Sequence, residues 1–336
     1  MRISLCSVAL VVAWTCSADV VAAELIVPDQ YVSIQAAINA SVSGDLITVR
    51  PGTYNERLDI GPRSITLKGQ LGAAATIIDP QGVGGVVIYS GHGAANGWAL
   101  DGFTIRNGLD SGIYVTGVSA TVKNCVFLNN QASRGGGAHV RDGANVTFDG
   151  CDFVQNTVAV GQCKGGALFA ESASVTVRST IFQGNTARDN AAVLTGGAVA
   201  AVSAQVSVSN CQFISNRASR VSGLCSGDMY ARGGAAAFEG SSSVTVSDSQ
   251  FEQNQALCSL QDVCYYNGAA ANSYGGALYA ADSTSLAIVR CQFSSDNATA
   301  FGQVPHCCSG SYSRAYGGAI FSVAVSYTHL TLPTKA

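Results

Sequence analysis

Cys211-Gln212-Phe213-Ile214-Ser215-Asn216, followed by Gly233-Gly234-Ala235, is one copy of the unit that decides the fold. Phe-x-x-Asn recurs as Phe127/Asn130, Phe153/Asn156, Phe182/Asn185, Phe213/Asn216 and Phe251/Asn254, and loosely at Phe293/Asp296-Asn297. Gly-Gly-Ala follows each copy, its first glycine at Gly136, Gly165, Gly196, Gly233, Gly275 and Gly317. From that glycine to the next Phe the spacing is 17, 17, 17, 18 and 18 residues. From the Asn of each copy to the next Gly-Gly it is 6, 9, 11, 17, 21 and 20 residues. One arm of the repeat is fixed in length and the other is a loop that grows, as in a solenoid whose insertions leave on one face.

Each repeat holds three short apolar pieces of period two. One follows Gly-Gly-Ala (Leu168-Phe169, Val199, Leu278-Tyr279, Ile320-Phe321), and one is Val-x-Val-like (Val146-Thr147-Phe148, Val175-Thr176-Val177, Val206-Ser207-Val208). The third carries Phe-x-x-Asn. Three strands per turn, stacked at about 4.8 Å per rung, predict an all-β, single-stranded parallel β-helix of triangular section. Stacking makes columns: an inward ladder of Phe127, Phe153, Phe182, Phe213, Phe251 and Phe293, and an Asn ladder of Asn130, Asn156, Asn185, Asn216 and Asn254 at the bend. Two residues before each Phe stand Cys125, Cys151, Thr180, Cys211, Ser249 and Cys291, small enough to fill the space beside the rings. Lys123, Asp149 and Arg178 alternate in sign on successive rungs, and Gln212, Gln250 and Gln292 form an outward amide column.

The flanks differ. Residues 1–23 read as a secretory leader: Arg2, an apolar core, and Val21-Ala22-Ala23 as the cleavage site. Residues 33–40 place Ile34, Ala37 and Ile38 on one helical face behind Ser33 as N-cap, a lid for the first rung. The β-helix is expected over residues 24–321, truncated at its C-terminal end. Residues 322–336 lose the repeat's character and read as a non-native tail. Charged residues are 12%, against about 25% in ordinary soluble proteins. With a net charge of −3 there is no basic field, which argues against nucleic acid. No apolar run is long enough for a membrane span.

The alternation of Gly-Gly-Ala-(Ile/Leu/Val) with Phe-x-x-Asn resembles the repeat of polymorphic outer-membrane protein passengers. The opening Ile34-Gln35-Ala36-Ala37-Ile38, with Pro51-Gly52-Thr53-Tyr54-Asn55-Glu56 and Ile65-Thr66-Leu67-Lys68-Gly69, resembles the first rungs of pectin-lyase-like right-handed β-helix proteins. The first resemblance implies an adhesive, surface-exposed stalk. The second implies the fold, which hosts lyases, esterases, hydrolases and adhesins alike. Pectin esterases share an opening of the Pro51-Gly52-Thr53-Tyr54 type, but their paired Asp residues with Gln and Arg neighbours have no match downstream. Gly91-His92-Gly93 looks like a polygalacturonase tripeptide without the Asp pair that should precede it.

An inverting hydrolase needs two carboxylates about 6.5–9.5 Å apart, and a lyase a Ca²⁺ cluster with an Arg base. Asp149 and Asp152, near Lys123, Arg141 and Arg178, are the candidate pair; the competing reading is an exposed column of alternating charge. No cofactor is called for, with Ca²⁺ reserved for the lyase case, and no metal site is expected because only His306 beside Cys307 has a ligand-like spacing. Cys163, Cys225, Cys258, Cys264, Cys307 and Cys308 all fall in the growing loops, where disulfides would stiffen them in an oxidising compartment. Cys125 and Cys151, one rung apart, could bridge or serve as small buried hydrophobes. The loops also carry Tyr230, Tyr265, Tyr266, Tyr274, Tyr312 and Tyr316, which suit either an adaptable binding surface or a small core of their own. Function is therefore expected to be that of a secreted or cell-surface, non-catalytic β-helix. Its disulfide-stiffened loops would be presented for adhesion or carbohydrate binding, with glycans or cell-surface proteins as partners. The alternative is a lyase, hydrolase or esterase acting on an acidic polysaccharide.

Overall fold

Strand pairing carries the period-two pattern of the sequence into three long parallel sheets. The computed structural model describes residues 22–331 except 86, 92–96, 160–162, 189–192, 223–228, 261–269, 283, 303–311 and 323–325. An eleven-stranded sheet holds the Val-x-Val pieces, from Glu24–Val27 to Ser326–Thr331. A nine-stranded sheet holds the Phe pieces, from Gly52–Tyr54 to Gln292–Ser294, and a second nine-stranded sheet holds the pieces after Gly-Gly-Ala, from Leu58–Asp59 to Ile320–Ser322. Registers are those of the repeat: Val146 pairs Val175, Phe153 pairs Phe182, and Leu168 pairs Val199. Ser326–Thr331, placed by sequence outside the repeat, pairs with Ser285–Val289 through a register shift.

The aromatic ladder is stacked ring on ring. Centroids from Phe127 to Phe293 are 4.5, 5.0, 4.7, 4.6 and 4.8 Å apart with interplanar angles of 5–11°. All but Phe293 are buried. Beside them the Asn ladder is continuous: Asn130 Nδ2 donates to Asn156 Oδ1 at 3.0 Å, and the link repeats at 3.0 Å through Asn185 and Asn216 to Asn254. The left-handed residue at this bend is the one before each Asn, at Asn129, Gln155, Gly184, Ser215 and Gln253, leaving Asn buried and fully bonded.

At the other corner the left-handed residue precedes the Cys/Thr/Ser column, as in Asn124, Ser179 and Asn210. That column does more than fill space. Each side chain donates back to the carbonyl two residues earlier, Thr180 Oγ1 to Arg178 at 2.8 Å, Ser249 Oγ to Ser247 at 2.7 Å and Cys125 Sγ to Lys123 at 3.0 Å. Cys125 and Cys151 are free thiols, so the bridge considered between them is not formed. Burial pushes the Cys151 thiol up to about 12.

One register is corrected. Gly135, not Gly136, is equivalent to Gly165, because both are left-handed and Ala138 pairs Leu168. Three consecutive glycines at 135–137 made the slip unreadable. The second glycine of the motif is where neighbouring backbones touch: a Cβ on Gly166 would lie 2.2 Å from the Gly197 carbonyl oxygen and 2.7 Å from the Thr186 backbone.

The helix Ile34–Ala40 forms as expected, with the Ser33 side chain accepting from Ala36 N–H. Glu56 completes the cap, its two carboxylate oxygens each accepting at 3.0 Å, from Ile34 N–H and Gln35 N–H. Ile34, Ala37 and Ile38 close the first rungs.

The growing loops are laid down as two further parallel sheets. The six-stranded one runs from Gln131–Ala132 to Asn297–Gly302, its strands 2, 2, 3, 6, 6 and 6 residues long. The four-stranded one comprises Val193–Thr195, Met229–Arg232, Ala270–Tyr274 and Tyr312–Tyr316. Between them lie small cores, Val158, Cys163, Ala187 and Leu194 in one and Ala218, Met229, Ala231, Ala256, Cys258 and Ala271 in another. Cys163 and Cys258 lie buried in these two separate cores, and Cys258 is a free thiol, which removes it from the disulfides expected to stiffen the loops. Cross-strand pairing does that instead. Cys225, Cys264, Cys307 and Cys308, with Tyr265 and Tyr266, lie outside the described residues.

Candidate functional site

The sheet that follows Gly-Gly-Ala turns one column of side chains outward, Tyr89, Tyr114, His139, Phe169, Ala200, Ala237, Tyr279 and Phe321. Over its later rungs the loop sheets cover this column. Arg134 lies 5.7 Å over the Phe169 ring, and Arg232 lies 5.1 Å over both Tyr230 and Tyr279. Because Ala200 and Ala237 are small, long cations fit across them: Lys164 Nζ and Arg232 reach Glu239 at 3.3 and 2.8 Å. Tyr230, Tyr274 and Tyr316 stack at 6.3 and 5.2 Å along the seam, with Tyr274 packed on Tyr279 and Phe321. Tyr274 thus packs into the apolar seam, while Tyr316 stays 39% exposed.

Where the loops are short, the column is open. Tyr89 and Tyr114 stack at 5.6 Å with their planes 17° apart and form the floor of a cleft of about 770 Å³. Its walls carry Gln35, Arg57, Asp59 and Asp110, and exposed Val83 and Leu109 stand close by in sequence to its lining residues. Gln35, on the capping helix, donates to the Asp59 carbonyl at 3.1 Å and accepts from Asp59 N–H at 2.8 Å, tying the helix to the strand Leu58–Asp59. Arg57 rests on Gly85, where an added Cβ would lie 3.1 Å from the guanidinium carbon. Arg141 is paired with Asp142 at 2.8 Å, and Asp142 first, then Tyr114, raise its pKa. Partial burial holds the Asp110 carboxyl above the usual range.

His139 marks the boundary. It meets Tyr114 edge-on at 5.0 Å and Phe169 at 5.2 Å, and its Nε2 is shielded without a partner. Burial first, then the charges of Arg141 and Arg134, lower its pKa to about 4, so it is neutral at pH 7.

Asp149 and Asp152 are not brought together in a cleft. They stand on different sheets either side of the Gly150-Cys151 corner, with Asp149 paired to Arg178 at 3.0 Å and Asp152 held in register between Val126 and Ile181. Burial raises the Asp152 carboxyl. No cluster of His, Cys, Asp and Glu suited to a metal occurs among the described residues. His92 and His306 lie outside them.

The family model for a right handed beta helix region matches residues 84–311. The chain belongs to this right-handed β-helix family. Solved structures match this chain at low identity. An alginate lyase from Paenibacillus sp. str. FPU-7 is 12% identical over 88% of this chain and 99% of its own, with a TM-score of 0.44. The pectate lyase Pel9A is 13% identical over 81% and 73%, TM-score 0.37. A pectin methylesterase from Yersinia enterocolitica is 12% identical over 85% and 94%, TM-score 0.36. At these scores no residue role passes to this β-helix. No curated protein sequence matches it. Among the described residues no helix is long and apolar enough to cross a membrane.

Proposed function

We propose that this β-helix is a secreted or cell-surface, non-catalytic protein that holds a carbohydrate chain in the cleft over Tyr89 and Tyr114. The stacked pair carries the reading. Two half-exposed rings offer a flat apolar platform for the C–H faces of sugars, while an amide, a guanidinium and two carboxylates stand around it for hydroxyl groups. The platform spans two rungs, about the length of one sugar unit per ring at the rung spacing. Resemblance of the repeat to polymorphic outer-membrane protein passengers supports display on a cell surface, and the leader-like residues 1–23 support export. Binding of neutral and acidic oligosaccharides to the full chain, followed by calorimetry, tests the reading. Tyr89→Ala with Tyr114→Ala should weaken the best ligand at least about tenfold while the melting temperature holds. Silence of the unaltered chain across both sugar classes would end the proposal.

One observation favours the enzymatic alternative. Asp110, with its carboxyl held high, shares the cleft with Asp59, the kind of pair that acid–base chemistry on a glycan requires. Polysaccharide cleavage by the full chain that disappears in Asp110→Asn would replace the binding reading with this one.

A further inference from the structure

The Asn ladder obeys one rule on every rung. The Oδ1 of each Asn accepts the backbone N–H and the Nδ2 of the Asn before it, as Asn216 does from Asn185 at 3.0 and 3.0 Å. Its Nδ2 also donates to the carbonyl of the ladder ring on the previous rung: Asn156 to Phe127, Asn185 to Phe153, Asn216 to Phe182 and Asn254 to Phe213, at 2.8–2.9 Å. On the next rung Asp296 takes the Asn position. Its Oδ1 keeps the first half of the rule, accepting from Asn254 N–H at 2.9 Å and Nδ2 at 2.8 Å. Its Oδ2 stands where the others carry an NH₂, is shielded from solvent and has no hydrogen-bond partner. By the register of the ladder, the group it should serve is the Phe251 carbonyl. An ionised carboxylate would set acceptor against acceptor there; a carboxylic acid would restore the missing donor.

We propose that Asp296 completes the ladder as an un-ionised carboxylic acid whose Oδ2–H donates to the Phe251 carbonyl, so that raising the pH loosens this rung. The step moves one proton, from Oδ2 to bulk water. Burial favours the acid form and outweighs the two donations from Asn254 and that of the Ser294 backbone, which favour the ion. From the preceding strand the charge of Glu252 also favours the acid. On its own strand Phe293, Ser294 and Ser295 bring no titratable side chain, and the Gly275-Gly276 corner beside Asn297 brings none. A carboxyl whose pKa is higher folded than unfolded stabilises most in acid. That stability is lost as pH rises from the unfolded value, about 3.9, through the folded one, tenfold in opening equilibrium per unit of difference.

The test uses the full chain and Asp296→Asn, which restores the residue of the five preceding rungs. Amide protection of Asn254, corrected for intrinsic exchange, is followed from pH 4 to 8. In the unaltered chain it should fall with pH by at least about tenfold, whereas in the variant it should stay level and exceed the parent at pH 8. Equal pH dependence in both overturns the proposal. Carboxyl carbon resonances of the unaltered chain give an answer that does not depend on the variant. A midpoint for Asp296 well above 3.8 agrees; one at or below 3.8 overturns it.

Discussion

One column of the solenoid leads two lives. At Tyr89 and Tyr114 it is the floor of an open cleft, and from Phe169 to Tyr279 it is a buried seam, with Phe169 1% and Tyr279 6% exposed. Strand geometry, register and rung spacing are the same in both regions. The difference is the length of chain between Asn and Gly-Gly. Short connections leave the rings partly exposed, while long ones pair into sheets and are clamped down by Arg134–Glu171 and by Lys164 and Arg232 on Glu239. Loop growth in this fold therefore removes surface, and the site lies where growth has not occurred.

The largest expected effect belongs to the core shared by both regions. Phe213→Ala, which empties a ring stacked on both faces, should cost about 3–5 kcal/mol in chemical denaturation; under 1 kcal/mol would mean that the ladder does not bear on stability. Next, Phe169→Ala and Tyr114→Ala set the two lives of the column against each other. The first should lose about 3 kcal/mol of stability and leave glycan affinity unchanged, the second should lose affinity and under about 1 kcal/mol of stability. Equal destabilisation by the two would erase the contrast.

His139, at the boundary, supplies a pH signature. Its pKa falls from 6.5 in the unfolded chain to about 4 in the folded one. Stability is therefore whole above 6.5 and declines as pH drops toward 4, by roughly 3 kcal/mol. His139→Phe, which copies the next rung, should remove that decline from melting curves between pH 4 and 7. The smallest effect is local. Glu239→Gln should cost about 1–2 kcal/mol, because Lys164 and Arg232 lose a partly buried counter-charge. Hydrogen exchange should then quicken in Met229–Arg232 before the three main sheets respond; uniform quickening would count against a clamp.

The ladders, the capping helix and the fixed arm of the repeat were legible because each obeys a spacing. The register at Gly135 was not, since three glycines in a row fit either alignment. Nor were the loop strands, which are rich in Ala and Ser rather than β-branched residues. Asp149 and Asp152 drew notice by closeness in sequence, yet a corner divides them. The cleft was hidden because Gln35, Arg57, Asp59, Tyr89, Asp110 and Tyr114 come from separate rungs and turns. One signal was there: Ile88-Tyr89 and Ile113-Tyr114 repeat a dipeptide at the same place in successive strands.

The pairing of the connecting arms also limits how this chain can be edited. Arg217–Ser222, Gln255–Leu260 and Asn297–Gly302 lie side by side, the middle one bonded to both others. Deleting that middle stretch alone would orphan backbone groups on two flanking turns at once. Arm lengths along this flank are thus a collective property, adjustable in concert across neighbours and hardly at all one by one.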